Sequence, residues 1–379
     1  MGPPGRGRLG RGALYAGGFI GPFGGGITAS MLPELGADFH VSPGTASLSL
    51  TVYMVPFAAV MLVSGTLGER WGRARTVRLA YLLFLVSSLA CALAPGWVAF
   101  LGARALGGIA NAFTTPLLMA ALGASASPGV LGRVLGWYGS LQAAGQTFAP
   151  LIGGLAAEAS WRWAFAGVAV VSAVLAVLGI PVEQRGETVA RPSLRSAWTP
   201  TVLRLGIVSA LAGACLAGLG FLVALRLDDV FALDAGLRGL VLTALGAVGI
   251  VTARVIGSAV DRVGGRRCVV TGALAGGLLV AGIGLAPSLW LVVAFWAAAG
   301  AASQLIVVGM NTLVLSGPGA NRGGAVSVVQ ALRFTGYATS PAVLPPVYHA
   351  DPLVGFLLPA GLLAIGAPLA LPRPSSGRE

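Results

Sequence analysis

Charge is scarce in this sequence, and acidic charge is the scarcest. Only 9% of the 379 residues are charged, with 12 acidic residues against 24 basic residues that are all arginine. A soluble globular domain carries roughly 25% charged residues, and the mean hydropathy of this chain is +0.86. The composition excludes a water-soluble fold and predicts a protein that is solvated by lipid.

The residues that usually build metal or acid–base sites are also few. There are three cysteines without short metal-type spacing, and two histidines that fall in predicted loops. No HExxH, P-loop or nucleophile-elbow motif occurs. We therefore expect no metal, no cofactor and no enzymatic activity, because a membrane-embedded enzyme needs metal ligands or an acid–base pair that face a cavity.

Apolar sequence is abundant and recurs in stretches long enough to cross a hydrocarbon core of ~30 Å at about 1.5 Å per residue. We predict an all-α membrane protein with twelve transmembrane helices. The first span is expected to remain uncleaved, although it follows three arginines as a signal peptide would. The predicted spans are 12–32, 45–67, 77–94, 97–122, 131–157, 162–181, 201–225, 237–260, 268–286, 289–315, 323–346 and 353–371.

The distribution of arginine predicts the orientation of these spans. With the N-terminus inside, 18 arginines fall in inner segments, 3 in outer loops and 3 inside spans, namely Arg104, Arg254 and Arg333. Basic residues accumulate in cytoplasmic loops. We expect a multi-pass protein of the bacterial inner membrane with both termini cytoplasmic, and the net charge of +12 requires no nucleic-acid partner.

Two matches at nearly one offset reveal an internal repeat. GTLGERWGRAR at 65–75 matches GSAVDRVGGRR at 257–267 with an offset of 192, and LQAAGQTFAP at 141–150 matches LRFTGYATSP at 332–341 with an offset of 191. Repeats of six helices are a transporter architecture in which the substrate site lies near the membrane midplane. We predict two pseudo-symmetric six-helix bundles, with boundaries at 1–181, a cytoplasmic linker at 182–200, and 201–379.

With these motifs the chain resembles the major facilitator superfamily from about residue 12 to 371. The loop after the second span is similar to that family's G-x-L-x-D-R-x-G-R-[KR] signature, and the loop after the eighth span is a weaker copy. The resemblance implies that the acid pairs with arginines and forms a cytoplasmic gate that locks and releases, although basic loops also serve topology alone. The gate-loop residues are Gly65, Glu69, Arg70, Gly72, Arg73 and Arg75 in the first copy, and Asp261, Arg262, Gly264 and Arg267 in the second.

Two further segments carry the resemblance. RALGG at 104–108 is similar to the family's R-x-x-Q-G element, with Gly107 in place of glutamine. GQTFAPLIGG at 145–154 is similar to G-x-x-x-G-P-x-x-G-G, a pattern of the family's exporters, with Ala149 in place of one glycine. The resemblance favours export over uptake. The exporter-type positions are Gly145, Pro150, Gly153 and Gly154.

Polar side chains inside the spans are the candidate substrate contacts, since such groups are costly in a membrane. Arg104 either braces helices or contacts substrate, and Arg333 either binds substrate or takes part in coupling. The amides more often form hydrogen bonds to neighbouring helices, and contact with substrate is their alternative role. The cavity candidates are Arg104, Asn111, Gln142, Gln146, Gln304, Asn311 and Arg333.

Carboxylates are absent from the middle of every predicted span. Proton-coupled transport usually needs a titrating group within the pathway, and the best candidates are Glu34 and Asp38, just beyond the first span, which also suit a solvated loop. We predict a secondary active, proton-coupled exporter of small hydrophobic drugs or metabolites, monomeric in the lipid bilayer. Uptake of a nutrient or organic anion is the alternative.

Overall fold

The structure is a computed structural model that describes residues 4–41, 43–46, 48–127, 129–180, 193–233, 235–317 and 321–372. In these ranges every regular element is helical, which confirms the predicted all-α fold. The long helices are α1 Pro4–Gly26, α2 Leu48–Trp71, α3 Arg73–Ala92, α4 Trp97–Ser125, α5 Leu131–Ala159, α6 Trp161–Leu178, α7 Pro200–Asp229, α8 Ala235–Val263, α9 Gly265–Leu285, α10 Leu289–Ser316, α11 Arg322–Ala350 and α12 Pro352–Ala370.

Nine of these twelve helices in the described ranges are long and apolar enough to cross a membrane by composition alone. The other three are α1, α5 and α11. They carry the basic N-terminal turn and the glutamine, arginine and proline residues that were singled out in the sequence. Of these three helices, α5 carries the exporter-type segment with Gln142 and Gln146, and α11 carries Arg333.

Three spans are less regular than predicted. Span 12–32 ends early, because α1 stops at Gly26 and is followed by a 3₁₀ turn, Ile27–Ser30, and a short helix, Leu32–Asp38. The run Gly24-Gly25-Gly26 has low helix propensity. In α7 a 3₁₀ turn, Ala217–Leu219, interrupts the helix, and α12 contains the π-helical turn Leu362–Gly366. Such irregular turns frequently mark functional sites.

The contacts divide the chain into two units. Unit 1 comprises Met1–Ala126, Trp137–Ser196 and Gly319–Ser327, and unit 2 comprises Ser127–Gly136, Ala197–Pro318 and Val328–Glu379. Unit 1 thus includes the first turn of α11, and unit 2 the first turn of α5. The predicted boundaries around linker 182–200 stay a prediction, and residues 181–192 lie outside the described residues.

The repeat is visible at single residues within each unit. In unit 1, a Cβ at Gly108 of α4 would overlap the Tyr53 carbonyl oxygen of α2. In unit 2, a Cβ at Gly300 of α10 would overlap the Leu245 carbonyl oxygen of α8 in the same way. Gly300 lies 192 positions after Gly108, and Leu245 lies 192 positions after Tyr53. Glycine is needed because the helix backbones approach each other closely at these points.

A second pair of crossings repeats at an offset of 191. Gly145 of α5 lies against the Phe19 carbonyl of α1, and Gly336 of α11 lies against the Ala210 carbonyl of α7. Each unit therefore packs its helices through the same glycine positions. The offset found in the sequence is a real structural repeat.

Candidate functional site

The broken first helix of unit 1 is held by Arg104. This side chain projects from α4, is only 3% exposed, and donates to the carbonyls of Gly24 at 2.9 Å and Gly25 at 3.1 Å. These carbonyls belong to the last turn of α1, where the helix has no N–H donors of its own for them. Nε also faces the Ser49 carbonyl at 3.4 Å, so three carbonyls from two helices bind one guanidinium.

The charge of Arg104 is balanced by backbone and by aromatic rings. The C-terminal end of a helix carries a partial negative charge that favours a cation, and the guanidinium carbon lies 4.4 Å from the Tyr53 ring centroid. The cavity beside it, which Ser88, Cys91 and Phe165 help to line, has a volume of only about 10 Å³. Ligand pockets measure roughly 300–1,000 Å³. The geometry favours the bracing alternative for Arg104.

Asn111 lies two turns further along α4 and also faces α1. Its Nδ2 donates to the Gly21 carbonyl at 3.2 Å, and its Oδ1 accepts from Thr114 at 2.9 Å. The side chain is 4% exposed. The structure therefore brings Arg104 and Asn111 together on one face of α4, where both contact the backbone of α1.

In unit 2 the broken first helix has a different partner. Ser340 of α11 donates to the Ala214 carbonyl at 2.8 Å, just before the 3₁₀ turn of α7. A Cβ at Gly213 would lie 2.5 Å from the Arg333 carbonyl oxygen and 3.4 Å from the Tyr337 nitrogen. This close approach places the backbone of Arg333 beside the break in α7.

The Arg333 side chain is half-buried in α11. Its guanidinium carbon lies 5.3 Å from the Phe334 ring centroid, and its Nε is buried without a hydrogen-bond partner among the described residues. A buried donor without a partner is costly. Among the described residues, Arg333 is therefore one of two buried or half-buried arginines, with Arg226, whose Nε has no hydrogen-bond partner.

Two further cavity candidates lie on α10 in unit 2. Gln304 is 8% exposed, its amide lies 3.3 Å from the Cβ position of Gly249 on α8, and its Oε1 lacks a partner among the described residues. Asn311 is 6% exposed. Both side chains are buried among helices of unit 2, as helix-bracing amides are in membrane proteins.

The exporter-type segment packs α5 against α1 in unit 1. Gly145 contacts the Phe19 carbonyl, as described above, and the Ala149 Cβ lies 3.3 Å from the Cβ position of Gly26. A glycine on the facing helix thus makes room for the alanine that departs from the family pattern. Of the remaining predicted residues, Gly153 is buried, Gln142 and Gly154 are half-buried, and Gln146 and Pro150 are exposed.

The first gate loop binds the start of α11 inside unit 1. A Cβ at Gly65 would overlap the Gly323 carbonyl, and the Glu69 carboxylate accepts from the Gly323 N–H at 3.1 Å. Arg73 donates from Nε to both oxygens of Glu69, at 2.9 and 3.0 Å. The carboxylate therefore sits at a helix N-terminus, where unpaired N–H groups and the helix dipole favour an anion.

The second gate loop binds the start of α5 inside unit 2 in a related way. Asp261 accepts from the Gly132 N–H at 2.5 Å and from the Arg133 N–H at 3.0 Å. A Cβ at Gly257 would lie 2.6 Å from the Gly132 carbonyl oxygen. Gly132 and Gly323 are equivalent positions of the repeat, because they are 191 residues apart. The contact of the acid with the helix start and the contact of the loop glycine with the same residue therefore occur in both units.

The other gate-loop residues have simpler surroundings. Gly72 and Gly264 have φ values of 94° and 89°, in the left-handed region that favours glycine, and each permits the sharp turn between consecutive helices. Four arginines of the two gate loops have exposed side chains. They are Arg70, Arg75, Arg262 and Arg267.

The two proton-coupling candidates lie on the short helix Leu32–Asp38, which was predicted as a loop. Pro33 fits the first turn of that helix. Glu34 is exposed. Asp38 pairs with Arg162 at 3.0 Å and accepts from the Trp161 indole at 3.1 Å. These contacts fasten the short helix to the start of α6 in unit 1.

Sequence reasoning missed three polar contacts that organise the ends of helices. Arg226 of α7, 8% exposed, donates to the Ala286 carbonyl at 2.9 Å. Tyr348 of α11 donates to Asp229 at 2.9 Å. Asn321 precedes α11 and binds groups of three segments. For Asn321, an asparagine two residues before the predicted span 323–346 is a capping signal that was available in the sequence.

These features define a class of protein: a polytopic α-helical membrane protein with two related units, each with an interrupted first helix and a carboxylate at a helix N-terminus. The chain belongs to the Major Facilitator Superfamily, whose family model matches residues 14–253. Its family and fold are those of transporters, and the expected family is confirmed.

Several curated relatives are similar to part of the chain. The uncharacterized MFS-type transporter YybF of Bacillus subtilis is 36% identical over 149 residues, which are 39% of this chain and 37% of that protein. In Mycobacterium tuberculosis, a multidrug resistance protein B homolog is 32% identical over 34% of this chain and 24% of its own length. The drug efflux pump JefA of the same organism is 31% identical over 35% of this chain and 27% of its length. The chain thus spans 24–37% of the length of these relatives.

Solved structures match nearly the whole chain. The human organic anion transporter MFSD10 (TETRAN) aligns with a TM-score of 0.80 and 17% identity, over 98% of this chain and 100% of that one. The proton:xylose symporter XylE aligns with a TM-score of 0.72 and 14% identity, over 96% of this chain and 94% of that one. At these identities the likeness establishes the fold.

Proposed function

We propose that the protein is a secondary active exporter of small hydrophobic compounds, driven by counter-flow of protons. The observation that carries the proposal is the repeated contact of a carboxylate with a helix N-terminus, Glu69 with α11 and Asp261 with α5. The exporter-type packing around Gly145 and the efflux names of partial relatives support the direction of transport.

The gate contacts offer a physical route for coupling. A charged carboxylate at a helix N-terminus stabilises the helix start by roughly 0.3–1 kcal/mol, and by up to about 2 kcal/mol when partly buried. Protonation removes that charge and leaves a much weaker acceptor. We infer that protonation of Asp261 and Glu69 favours release of the starts of α5 and α11, which is the local event required for opening the cytoplasmic side in alternating access.

Orientation and assembly are part of the same proposal. The arginine-rich gate loops are cytoplasmic by the positive-inside rule, so the chain lies in a bacterial inner membrane with both termini inside. We propose that a monomer is sufficient for transport. Arg333 is the residue of unit 2 that we assign to a substrate-facing surface, because its Nε has no hydrogen-bond partner among the described residues.

Transport by the purified protein in liposomes tests the proposal. An imposed proton gradient should drive movement of hydrophobic dyes or antibiotics, and a double variant, Glu69→Gln with Asp261→Asn, should lose gradient dependence while it remains folded. The matched control is Arg262→Gln, which changes an exposed arginine of the gate loop. Absence of gradient-driven movement of every compound in the wild-type protein would refute the exporter proposal.

Transport of an organic anion is the second candidate, and Arg333 is the observation that favours it. A half-buried guanidinium with an unpaired Nε suits a carboxylate or phosphate group, which arginine binds through paired hydrogen bonds. Arg333→Gln should then abolish transport of anionic cargo alone. The control is Arg254→Gln, because Arg254 is exposed on α8. Equal effects of Arg333→Gln on neutral and anionic cargo would argue against the anion reading.

A further inference from the structure

Asn321 stands directly before α11 and makes three hydrogen bonds with its side chain. Its Oδ1 accepts from the Gly324 N–H at 3.0 Å, which is the bond of a helix N-cap. Since a backbone N–H can only donate, this bond fixes the orientation of the amide and aims Nδ2 away from the helix. The side chain belongs to a residue that is only 6% exposed.

The amide nitrogen joins two other segments of unit 1 to this cap. It donates to Thr66 Oγ1 of α2 at 3.0 Å and to Ser196 Oγ of the linker at 2.9 Å. Ser196 in turn donates to the Ser193 carbonyl at 2.6 Å. Its hydroxyl hydrogen is therefore committed within the linker, and its oxygen serves as the acceptor for Asn321.

Gly324 gives the Asn321 side chain the room that these contacts need. A Cβ at Gly324 would overlap Thr66 Oγ1 and would lie 2.5 Å from Asn321 Oδ1. Thr66 is 1% exposed. Two consecutive glycines therefore lie in the first turn of α11. Gly323 allows the approach of Glu69, and Gly324 allows the approach of Thr66 and Asn321.

This arrangement is missing from the repeat. The position equivalent to Asn321 before α5 is Val130, and the position equivalent to Thr66 on α8 is Ser258. Valine offers no side-chain hydrogen bond, and Ser258 donates to the Arg254 carbonyl of its own helix at 3.1 Å. Since the fold repeats and the cap does not, helix architecture alone does not require the Asn321 contacts.

We propose that Asn321 is a positioning residue that ties the linker to the first turn of α11, so that the linker and the Glu69 gate contact change state together. The inference rests on the proposed function, in which the start of α11 is released when the cytoplasmic side opens. Movement of α11 away from Glu69 also separates Asn321 from Thr66 and Ser196. Conversely, displacement of the linker removes one of the bonds that hold the α11 start in place.

Hydrogen–deuterium exchange of the full-length protein, without substrate or gradient, tests this tie. Ser196→Ala removes the acceptor of the Asn321 bond together with the bond from its own hydroxyl to the Ser193 carbonyl, whereas Asn321→Asp keeps the cap acceptor but removes both donated bonds. Each variant therefore loses two hydrogen bonds, of which only the Asn321–Ser196 bond is shared. Either variant should raise exchange in linker residues 193–197 and in the α11 first turn, 322–327, by at least about fivefold, the factor expected for loss of one net hydrogen bond. The control is Ser258→Ala, which should leave both segments at the wild-type rate.

A double variant decides whether both residues act through one bond. If they do, Ser196→Ala combined with Asn321→Asp should raise linker exchange no further than Ser196→Ala alone, and exchange of residues 322–327 no further than Asn321→Asp alone. Additive effects, or linker exchange that rises while residues 322–327 stay at the wild-type rate, would overturn the tie. The readout needs no transport, so a failure of the exporter proposal would appear in the liposome assay and not here.

Discussion

The two units interrupt their first helix at equivalent positions and satisfy the exposed carbonyls with different chemistry. In unit 1 the cation of Arg104 binds the carbonyls of Gly24 and Gly25, whereas in unit 2 the hydroxyl of Ser340 binds the Ala214 carbonyl. A cation is the stronger partner for a helix C-terminus. The difference is that the buried cation of unit 1 is bound by backbone carbonyls, while the Nε of Arg333 in unit 2 has no hydrogen-bond partner among the described residues.

The gate contacts differ in a parallel way. Asp261 binds two backbone N–H groups at the start of α5, whereas Glu69 binds one at the start of α11 and shares its charge with Arg73. An anion that is already paired with a cation responds less to the helix dipole. Unit 1 adds the Asn321 cap at this point, so its helix start depends less on a single carboxylate.

The largest effect should follow from removing the cation of unit 1. Arg104→Leu leaves the carbonyls of Gly24 and Gly25, in the last turn of α1, without their side-chain donor, and each orphaned buried acceptor costs about 1–3 kcal/mol. We expect a loss of at least roughly 2 kcal/mol in stability, seen as a lower thermal midpoint in detergent and a low yield of monodisperse protein.

The matched change in unit 2 is Trp296→Phe. Trp296 lies 192 positions after Arg104 and donates one bond to the Leu242 carbonyl at 3.3 Å, so its loss should cost only about 1 kcal/mol. If Arg104→Leu is as stable as Trp296→Phe, the bracing role of Arg104 is wrong and a ligand role regains support.

The next effect should follow from adding one methyl group at the gate glycines. Gly65→Ala and Gly257→Ala both place a Cβ against a carbonyl, and the space at Gly65 is the smaller of the two. Overpacking of this kind costs typically 1–3 kcal/mol. Transport should fall in both variants, and further in Gly65→Ala.

Gly96→Ala is the control for the glycine pair, because a Cβ at Gly96 meets nothing within 4 Å. Initial rates of transport in liposomes, normalised to the amount of folded protein, give the measurement. Equal rates for Gly65→Ala and the control would show that α2 and the start of α11 do not need to approach this closely.

Much of the fold was predictable because lipid imposes simple rules on sequence. Apolar length gave the twelve helices, and the offset of 191–192 between Gly65 and Gly257 or Gly145 and Gly336 gave the repeat. The break after Gly26 was missed, because a run of glycines in an apolar stretch still has the length of a span. Only the contact with Arg104 shows why the helix can stop inside the unit.

A smaller effect should separate the two gate acids. Asp261→Asn removes a charge that serves two N–H groups, so we expect a loss of about 1–2 kcal/mol at the start of α5. Glu69→Gln should cost about 0.5–1 kcal/mol at the start of α11, because the Asn321 cap remains. Hydrogen exchange of peptides 131–136 and 322–327 measures both. Equal protection losses would contradict the proposed difference between the units.

The candidate site was predictable in part. The acids at 69 and 261 were singled out by a motif, but their helix partners lie some 130 to 250 positions away along the chain and have no sequence signal of their own. The roles of Arg104 and Arg333 stayed open for the same reason. Whether all N–H donors of an intramembrane arginine are hydrogen-bonded depends on which carbonyls lie near it. The packing of the helices determines those neighbours, and the sequence alone does not reveal them.

The smallest effect should come from the hydroxyl that serves the break in unit 2. Ser340→Ala leaves the Ala214 carbonyl without its partner and should cost about 1 kcal/mol. Because a backbone that is weakly held adapts more readily, we expect the thermal midpoint to fall slightly while the Km for cargo changes more than it does in the Trp296→Phe variant. A shift in stability without any shift in Km would show that the α7 break does not border the substrate, and the assignment of Arg333 to the cargo surface would lose its structural basis.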